Sequence, residues 1–297
     1  MSKIVVIGSV NKDIVFSVDR FVQAKETLTS KKMEEFLGGK GLNQAVALKK
    51  AYPDVWLVAN INKNDQAILR QMEEVDIYTE HVSLVDTNTG TAFIQVDPKG
   101  ENCILLDKGA NHEFTTEKIT EVLDLCTKED IIVLQNEINH LETILVEANN
   151  RSIPVVLNPS PIEDNVLQLP LKLVSVLIVN EVEAQALTNI EDPKESLQKL
   201  STMYIDTTIV LTLGSEGVYC IDKGTLLYQP SEKVEAVDTT AAGDTFLGYF
   251  VASLMNKIPL DQAIKKANIA AAISVTRVGA SSSIPTEDEV NKLLDKK

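Results

Sequence analysis

Ile131-Ile132-Val133-Leu134 is an uninterrupted apolar run that Gln135 closes at strand length, set between two stretches of helical pattern at 117–126 and 140–149. A strand exposed on one face alternates polar and apolar residues. One buried on both faces does not, and that is the habit of a parallel sheet covered by helices. The alternation extends in both directions. Apolar strands at 3–10, 55–61, 154–158, 174–179 and 208–213 are separated by helical stretches, among them one running from Gly41 to about Ala51 and one at 65–75. Repeated β-then-α units predict an α/β fold, a three-layer αβα sandwich around a mostly parallel central sheet. Two segments break the pattern, at about 14–36 and 90–108. The second carries the turn signal Asp97-Pro98-Lys99-Gly100 and reads as a hairpin. Both read as strands of a small separate β layer inserted into one unit spanning 1–297, and the charged stretch 288–297 has the composition of a tail.

The 28 basic and 43 acidic residues give a net charge of −15, which argues against a general nucleic-acid surface but not against anionic small molecules. Cys103, Cys126 and Cys220 are far apart and odd in number, so neither a disulfide framework nor a zinc knuckle is expected. The apolar run after Met1 is too short for a signal peptide, and no stretch reaches membrane-spanning length. The expectation is a protein of a reducing, cytoplasmic setting without a membrane partner.

Chemistry concentrates in Asp238-Thr239-Thr240-Ala241-Ala242-Gly243-Asp244. Thr239 and Thr240 are helix-capping residue types, and Phe246, Phe250 and Leu254 follow at helical spacing. Ala241, Ala242 and Gly243 leave the first-turn amides bare, so an anion can approach where the helix dipole favours it. Asp244 in that turn suits a base taking a proton from a hydroxyl that attacks a phosphoryl group held on the amides. An ordinary capped helix with an N-terminal Asp is the plainer reading.

Gly38-Gly39-Lys40-Gly41-Leu42-Asn43 opens another helix without matching a phosphate-binding P-loop or a dinucleotide fingerprint, since Gln44 stands where the last glycine would be. With Asn11 and Asp13 just past the first strand, it reads as a polyol cradle or as a tight turn. Asn180 and Glu183, three apart at a strand-to-helix junction, suit hydrated Mg²⁺ with its phosphates, or simply the helix dipole. Thr212, Gly214, Ser215 and Gly217 form a junction where a nucleoside can lie on the backbone, or are only a turn. Glu137 ends a strand. Gly279 to Ser283 is oxygen-rich and with Asp238 suits a weakly hydrated cation, or is only a loop. His81, His112 and His140 have no metal or triad spacing.

Together these stretches resemble the ribokinase-like, or PfkB, family of sugar kinases, on the signatures Gly38–Ala45 (GGKGLNQA) and 238–246 (DTTAAGDTF), with DPKGEN and LNPSP between them. The resemblance implies transfer of the ATP γ-phosphoryl group to the 5-hydroxyl of D-ribose, with a small β lid that commonly forms a homodimer. It implies Asp244 as base and Ala241, Ala242 and Gly243 as anion hole. Asn11, Asp13, Gly39, Lys40, Asn43 and Glu137 match sugar positions. Asn180, Glu183, Thr212, Gly214, Ser215, Gly217, Gly243 and Asn268 match positions for nucleotide and Mg²⁺. Asp238, Thr240, Ser274, Arg277, Gly279 and Ser283 match a K⁺ site. The family usually carries Pro-Gly-Glu-Thr where Ala24-Lys25-Glu26-Thr27 stands, and glycines where Asn60 to Asp65 runs; Leu106-Asp107-Lys108 is also unusual. Another small sugar or a nucleoside is the alternative acceptor. A sugar sensor lacking catalysis or a nicotinamide dehydrogenase fits less well, since Asp244 is present and GxGxxG is not.

Overall fold

A computed structural model describes residues 2–295. Thirteen strands follow in chain order: β1 Ile4–Ile7, β2 Asn11–Ser17, β3 Lys32–Gly38, β4 Val55–Asn62, β5 Val82–Val85, β6 Gly90–Val96, β7 Asn102–Asp107, β8 Ile131–Gln135, β9 Val155–Asn158, β10 Val176–Asn180, β11 Thr208–Thr212, β12 Val218–Asp222 and β13 Thr225–Gln229. The helices are α1 Lys40–Ala51, α2 Gln66–Glu73, α3 Thr116–Asp124, α4 Leu141–Asn150, α5 Glu181–Thr188, α6 Pro193–Met203, α7 Ala242–Met255, α8 Leu260–Ser274 and α9 Glu287–Leu294.

Nine strands form one sheet in the order β13-β12-β11-β10-β9-β8-β1-β4-β5, in which only β12 runs against the others. The apolar runs are buried on both faces, as their lack of alternation requires. Val6, Val133 and Ile178 point into a core shared with α1, α7 and α8. Val5, Ile132 and Leu177 point into a second core under α3, α4 and α6. That is the three-layer sandwich. The chain leaves β1 toward β4 on one side and returns as β8 on the other, so the strand order reverses between β1 and β8. A crevice opens at the carboxyl ends of strands at such a reversal.

The second sheet, β3-β2-β6-β7, stands at those carboxyl ends. Its register places Asp13, Phe36, Ala92 and Leu106 in one row, and Ile14, Glu35, Phe93 and Leu105 in the next row on the opposite face. Alternation of side chains across the pleat separates the two rows. Lys12 Nζ reaches Asp65 Oδ2 at 3.0 Å, and Thr89 Oγ1 donates to the same oxygen at 2.6 Å. The unusual segment 60–65 therefore ties the base of the small sheet to β4 through polar contacts rather than through packing. At the unusual 24–27 turn, Lys25 adopts φ 69°, a conformation natural to glycine and strained for a lysine.

Two expectations are corrected, and one strand was not anticipated. The helix after 238–240 is not capped by a threonine: Ala241 is its N-cap at φ 59° and makes no side-chain cap. The tail-like segment is largely helix α9, stabilised by a capping box between Thr286 and Glu289. Lys296 and Lys297 of that segment, like Met1, lie outside the described residues. Strand β5, four residues with only one that is fully exposed, carries too short a pattern to be read from the sequence.

Candidate active site

The loops after β1 and β8 meet across the strand-order reversal. Ser9 Oγ donates to Glu137 Oε2, and the same oxygen accepts from Lys40 N at 3.1 Å. Gly41 N donates to Ser9 Oγ at 3.2 Å, so the start of α1 is stitched to both loops. Burial raises the Glu137 carboxyl above its usual range, against the pull of Lys40 and Ser9. Asp13 is pushed up to about 7 by burial first and by Glu137 second. Burial acts to lower Lys40, but Asp244, Glu137 and Glu183 outweigh it and hold the ammonium charged. One cation thus sits among three acids.

Asn111, from the turn Gly109–His112, fixes the neighbouring amide. Its Oδ1 accepts from Val10 N at 2.9 Å and its Nδ2 donates to Asn11 Oδ1 at 2.7 Å. With its oxygen taken, Asn11 has its amide N–H groups to offer a ligand. Asn43 Nδ2 donates to Asp244 Oδ2 at 3.3 Å, while the buried Asn43 Oδ1 has no protein partner. Gln44 Nε2 donates to Asp244 Oδ1 at 2.9 Å. Asp13, Lys40, Asn43, Glu137 and Asp244 are linked through these contacts and charges, and Gly39 lies against the backbone of Ser9 and Asn11. They form a cluster of acceptors and donors suited to a polyhydroxylated molecule.

Beside this cluster lies a cavity of about 240 Å³ bounded by Lys40, Asn180, Glu183 and the residues Ala241 to Asp244. It shares Thr212, Thr239, Ala242 and Gly243 with a second cavity of about 270 Å³. That second cavity is lined by Gly214, Ser215, Gly217, Asn268 and apolar groups including Phe246 and Val275. A polar channel joined to a flat apolar slot suits a nucleoside polyphosphate, with the amides of α7's first turn at the junction. Asn180 and Glu183 form a capping box: Glu183 accepts from Asn180 N at 3.0 Å and Nδ2 at 3.1 Å. Burial raises Glu183 despite these bonds.

Asp238 accepts from Thr240 N and Gly279 N, each at 2.9 Å, and staples the loop before α7 to the turn after α8. Burial alone would raise its carboxyl, but these bonds hold it below the usual range. Arg277 pairs with Glu289, and the hydroxyls of Ser274 and Ser283 donate to Ala271 O and Ala280 O, both at 2.8 Å. Those side chains are turned to structural partners, leaving main-chain oxygens for any ion there.

Sequence reading assigned no role to Ser9, Gln44 or Asn111, nor to Asn158 and Ser160, which line the first cavity. Only Gln44 carried a signal, as a polar residue at a position where helical packing would favour an apolar one.

The sequence matches the pfkB family carbohydrate kinase description over residues 1–287. The chain belongs to the PfkB family. It is 36% identical over 299 residues to the ribokinase of Haemophilus influenzae, covering 98% of this chain and 97% of that one. Its fold resembles that of Cryptococcus neoformans ribokinase in complex with ADP, with TM-score 0.86, 32% identity, and coverage of 99% and 100%. It also resembles Arabidopsis thaliana ribokinase complexed with ribose and ATP, with TM-score 0.86, 25% identity, and 99% coverage of both chains. Among the described residues, no helix of this PfkB protein is long and apolar enough to cross a membrane.

Proposed function

We propose that this PfkB protein is an ATP-dependent sugar kinase that transfers the γ-phosphoryl group to the 5-hydroxyl of D-ribose, giving ribose 5-phosphate and ADP. The observation that carries the reading is the position of Asp244. Its carboxylate is buried among amide donors at the start of α7, where the hydroxyl-binding cluster meets the polyphosphate channel.

Asp13 and Asn11 form an acceptor and donor pair for vicinal hydroxyls, and Asn43 Oδ1 accepts a further hydroxyl proton. Asp244 orients the attacking hydroxyl and takes its proton as the phosphoryl group transfers. The amides of Ala242 and Gly243, with that of Ala241, stabilise negative charge on the phosphoryl oxygens. Lys40 adds a fixed positive charge at the seam. The small sheet closes over the sugar and excludes water, which limits wasteful hydrolysis.

Among the described residues no group of three metal-ligating side chains is gathered. That suits Mg²⁺, which keeps most of its water and arrives on phosphates, better than a resident metal. Glu183, with Asn180, would hold its hydrated shell, and Mg²⁺ would neutralise phosphate charge. The ionised Asp238 and the main-chain oxygens about Thr240, Ser274, Arg277, Gly279 and Ser283 suit a weakly hydrated K⁺ that steadies the loop before α7.

The chain acts as one α/β unit with its lid, in the cytoplasm and as a homodimer through the lid. Met33, Phe93 and Leu105, exposed on the lid face away from Asp13, support the last point. Sedimentation of a single monomeric species would refute that pairing. ADP release measured over D-ribose, 2-deoxyribose, a ketohexose and a nucleoside tests the activity. The account requires the highest kcat/KM with D-ribose; a preference for another acceptor moves the assignment to that substrate.

A further inference from the structure

Gln44 and Gln135 are both fully buried, and neither lines either of the two cavities. They form a chain that ends on the reacting carboxylate. Gln135 Nε2 donates to Gln44 Oε1 at 2.7 Å, and Gln44 Nε2 donates to Asp244 Oδ1 at 2.9 Å. Three elements contribute: the end of β8, the start of the second turn of α1 and the first turn of α7.

The direction of this chain is fixed from its charged end. An ionised carboxylate only accepts, so Gln44 must turn its amino group to Asp244. Its carbonyl then faces Gln135, which must turn its own amino group inward. The consequence is an unsatisfied atom: the buried Gln135 Oε1 has no partner. It points toward Gly8, where a Cβ would lie only 2.2 Å from it. Buried carbonyls are nearly always satisfied, and a pair of aliphatic side chains of similar shape would leave none stranded. An arrangement that accepts this loss is explained by what the other end does.

At that other end the two carboxylate oxygens are unequal. Oδ1 is engaged at 2.9 Å by Gln44, whereas Oδ2 has only the longer 3.3 Å contact from Asn43. We propose that Gln135 and Gln44 are positioning residues that lock the rotation of the Asp244 carboxylate, leaving Oδ2 as the oxygen that receives the proton of the acceptor hydroxyl. Gln135 acts only through Gln44: without its donor, Gln44 can flip and set a carbonyl against the carboxylate.

The inference rests on the kinase reading, and its test separates the two. Gln44→Met, Gln135→Met and the double variant are assayed for ribose-dependent ADP formation, with active sites counted by ATP-analogue binding and folding checked by melting temperature. Gln135→Met lowers kcat roughly tenfold, as expected for loss of a hydrogen bond acting on a charged group, with KM for ribose and ATP unchanged. Added to Gln44→Met, it causes no further loss of kcat, because the two act in series. Should Gln44→Met fail to fold, Gln135→Met and Gln135→Leu still decide. The leucine, lacking a donor, must reproduce the methionine defect. A native-like kcat in folded Gln135→Met, or losses that multiply in the double variant, overturns the proposal. Absence of ribose-dependent activity in the native protein overturns the kinase reading instead.

Discussion

Gly248 of α7 lies against Ala47 of α1 so closely that a Cβ on the glycine would sit 2.3 Å from the alanine Cβ. The two backbones nearly touch at this crossing. One turn back along each helix are Asp244 and the pair Asn43 and Gln44, which hydrogen-bond. The close crossing therefore sets the register that brings the base to its donors. Gly248→Ala forces the helices apart; overpacking of this kind costs about 1–3 kcal/mol. Thermal denaturation should show a lower Tm, and kcat of the folded fraction should fall as Asp244 loses its seat. An unchanged Tm would mean that the crossing relaxes freely.

Asp13 should make sugar binding pH-dependent. Its carboxyl is raised from 3.8 to about 7, so protonation below that pH removes the acceptor for sugar hydroxyls. KM for ribose is expected to rise as pH falls below 7, by about tenfold per unit for a single proton. Stability runs the other way. The folded state holds this proton more tightly than the unfolded chain, so the contribution is present at low pH and lost as pH rises from about 4 to 7. The Tm advantage of Asp13→Asn over the native protein should accordingly grow across that range. A ribose KM constant from pH 5.5 to 8 would contradict the assignment.

Asn111 is buried behind Asn11 and sets which end of that amide faces the ligand. Asn111→Ala should raise KM for ribose roughly tenfold, the scale of one misdirected hydrogen bond in a closed site, with kcat little changed. Isothermal titration with ribose measures it. Unaltered ribose affinity would detach Asn111 from the sugar site.

Asp238 joins the loop before α7 to the turn at Gly279, and K⁺ bound between them would act on the same amides. Replacing K⁺ by Na⁺ should lower kcat several-fold, and Asp238→Ala should weaken that dependence. A rate indifferent to the cation would remove K⁺ from the account.

The layers of the fold were legible because runs such as Ile131 to Leu134 and Ile4–Ile7 are apolar throughout, a pattern that only a doubly covered strand needs. The two short motifs around Asn43 and Asp244 drew notice because they resemble the PfkB signatures in the right order; taken singly, each also read as an ordinary turn or cap. What stayed hidden acts at long range. Asn111 lies 100 residues from Asn11, and Gln135 lies 91 from Gln44. No local pattern announces a partner so distant. The stretch 288–297 was read as tail-like because its charges resemble a solvated end; the Thr286 and Glu289 cap was the overlooked signal.

The most direct test is ribose-dependent ADP formation by the native chain and by Asp244→Ala, each with saturating ATP, Mg²⁺ and K⁺. The account predicts turnover that requires ribose, and a kcat at least about a hundredfold lower in the variant, the scale of a lost general base, with ribose affinity close to native. Turnover in Asp244→Ala near the native rate would contradict it.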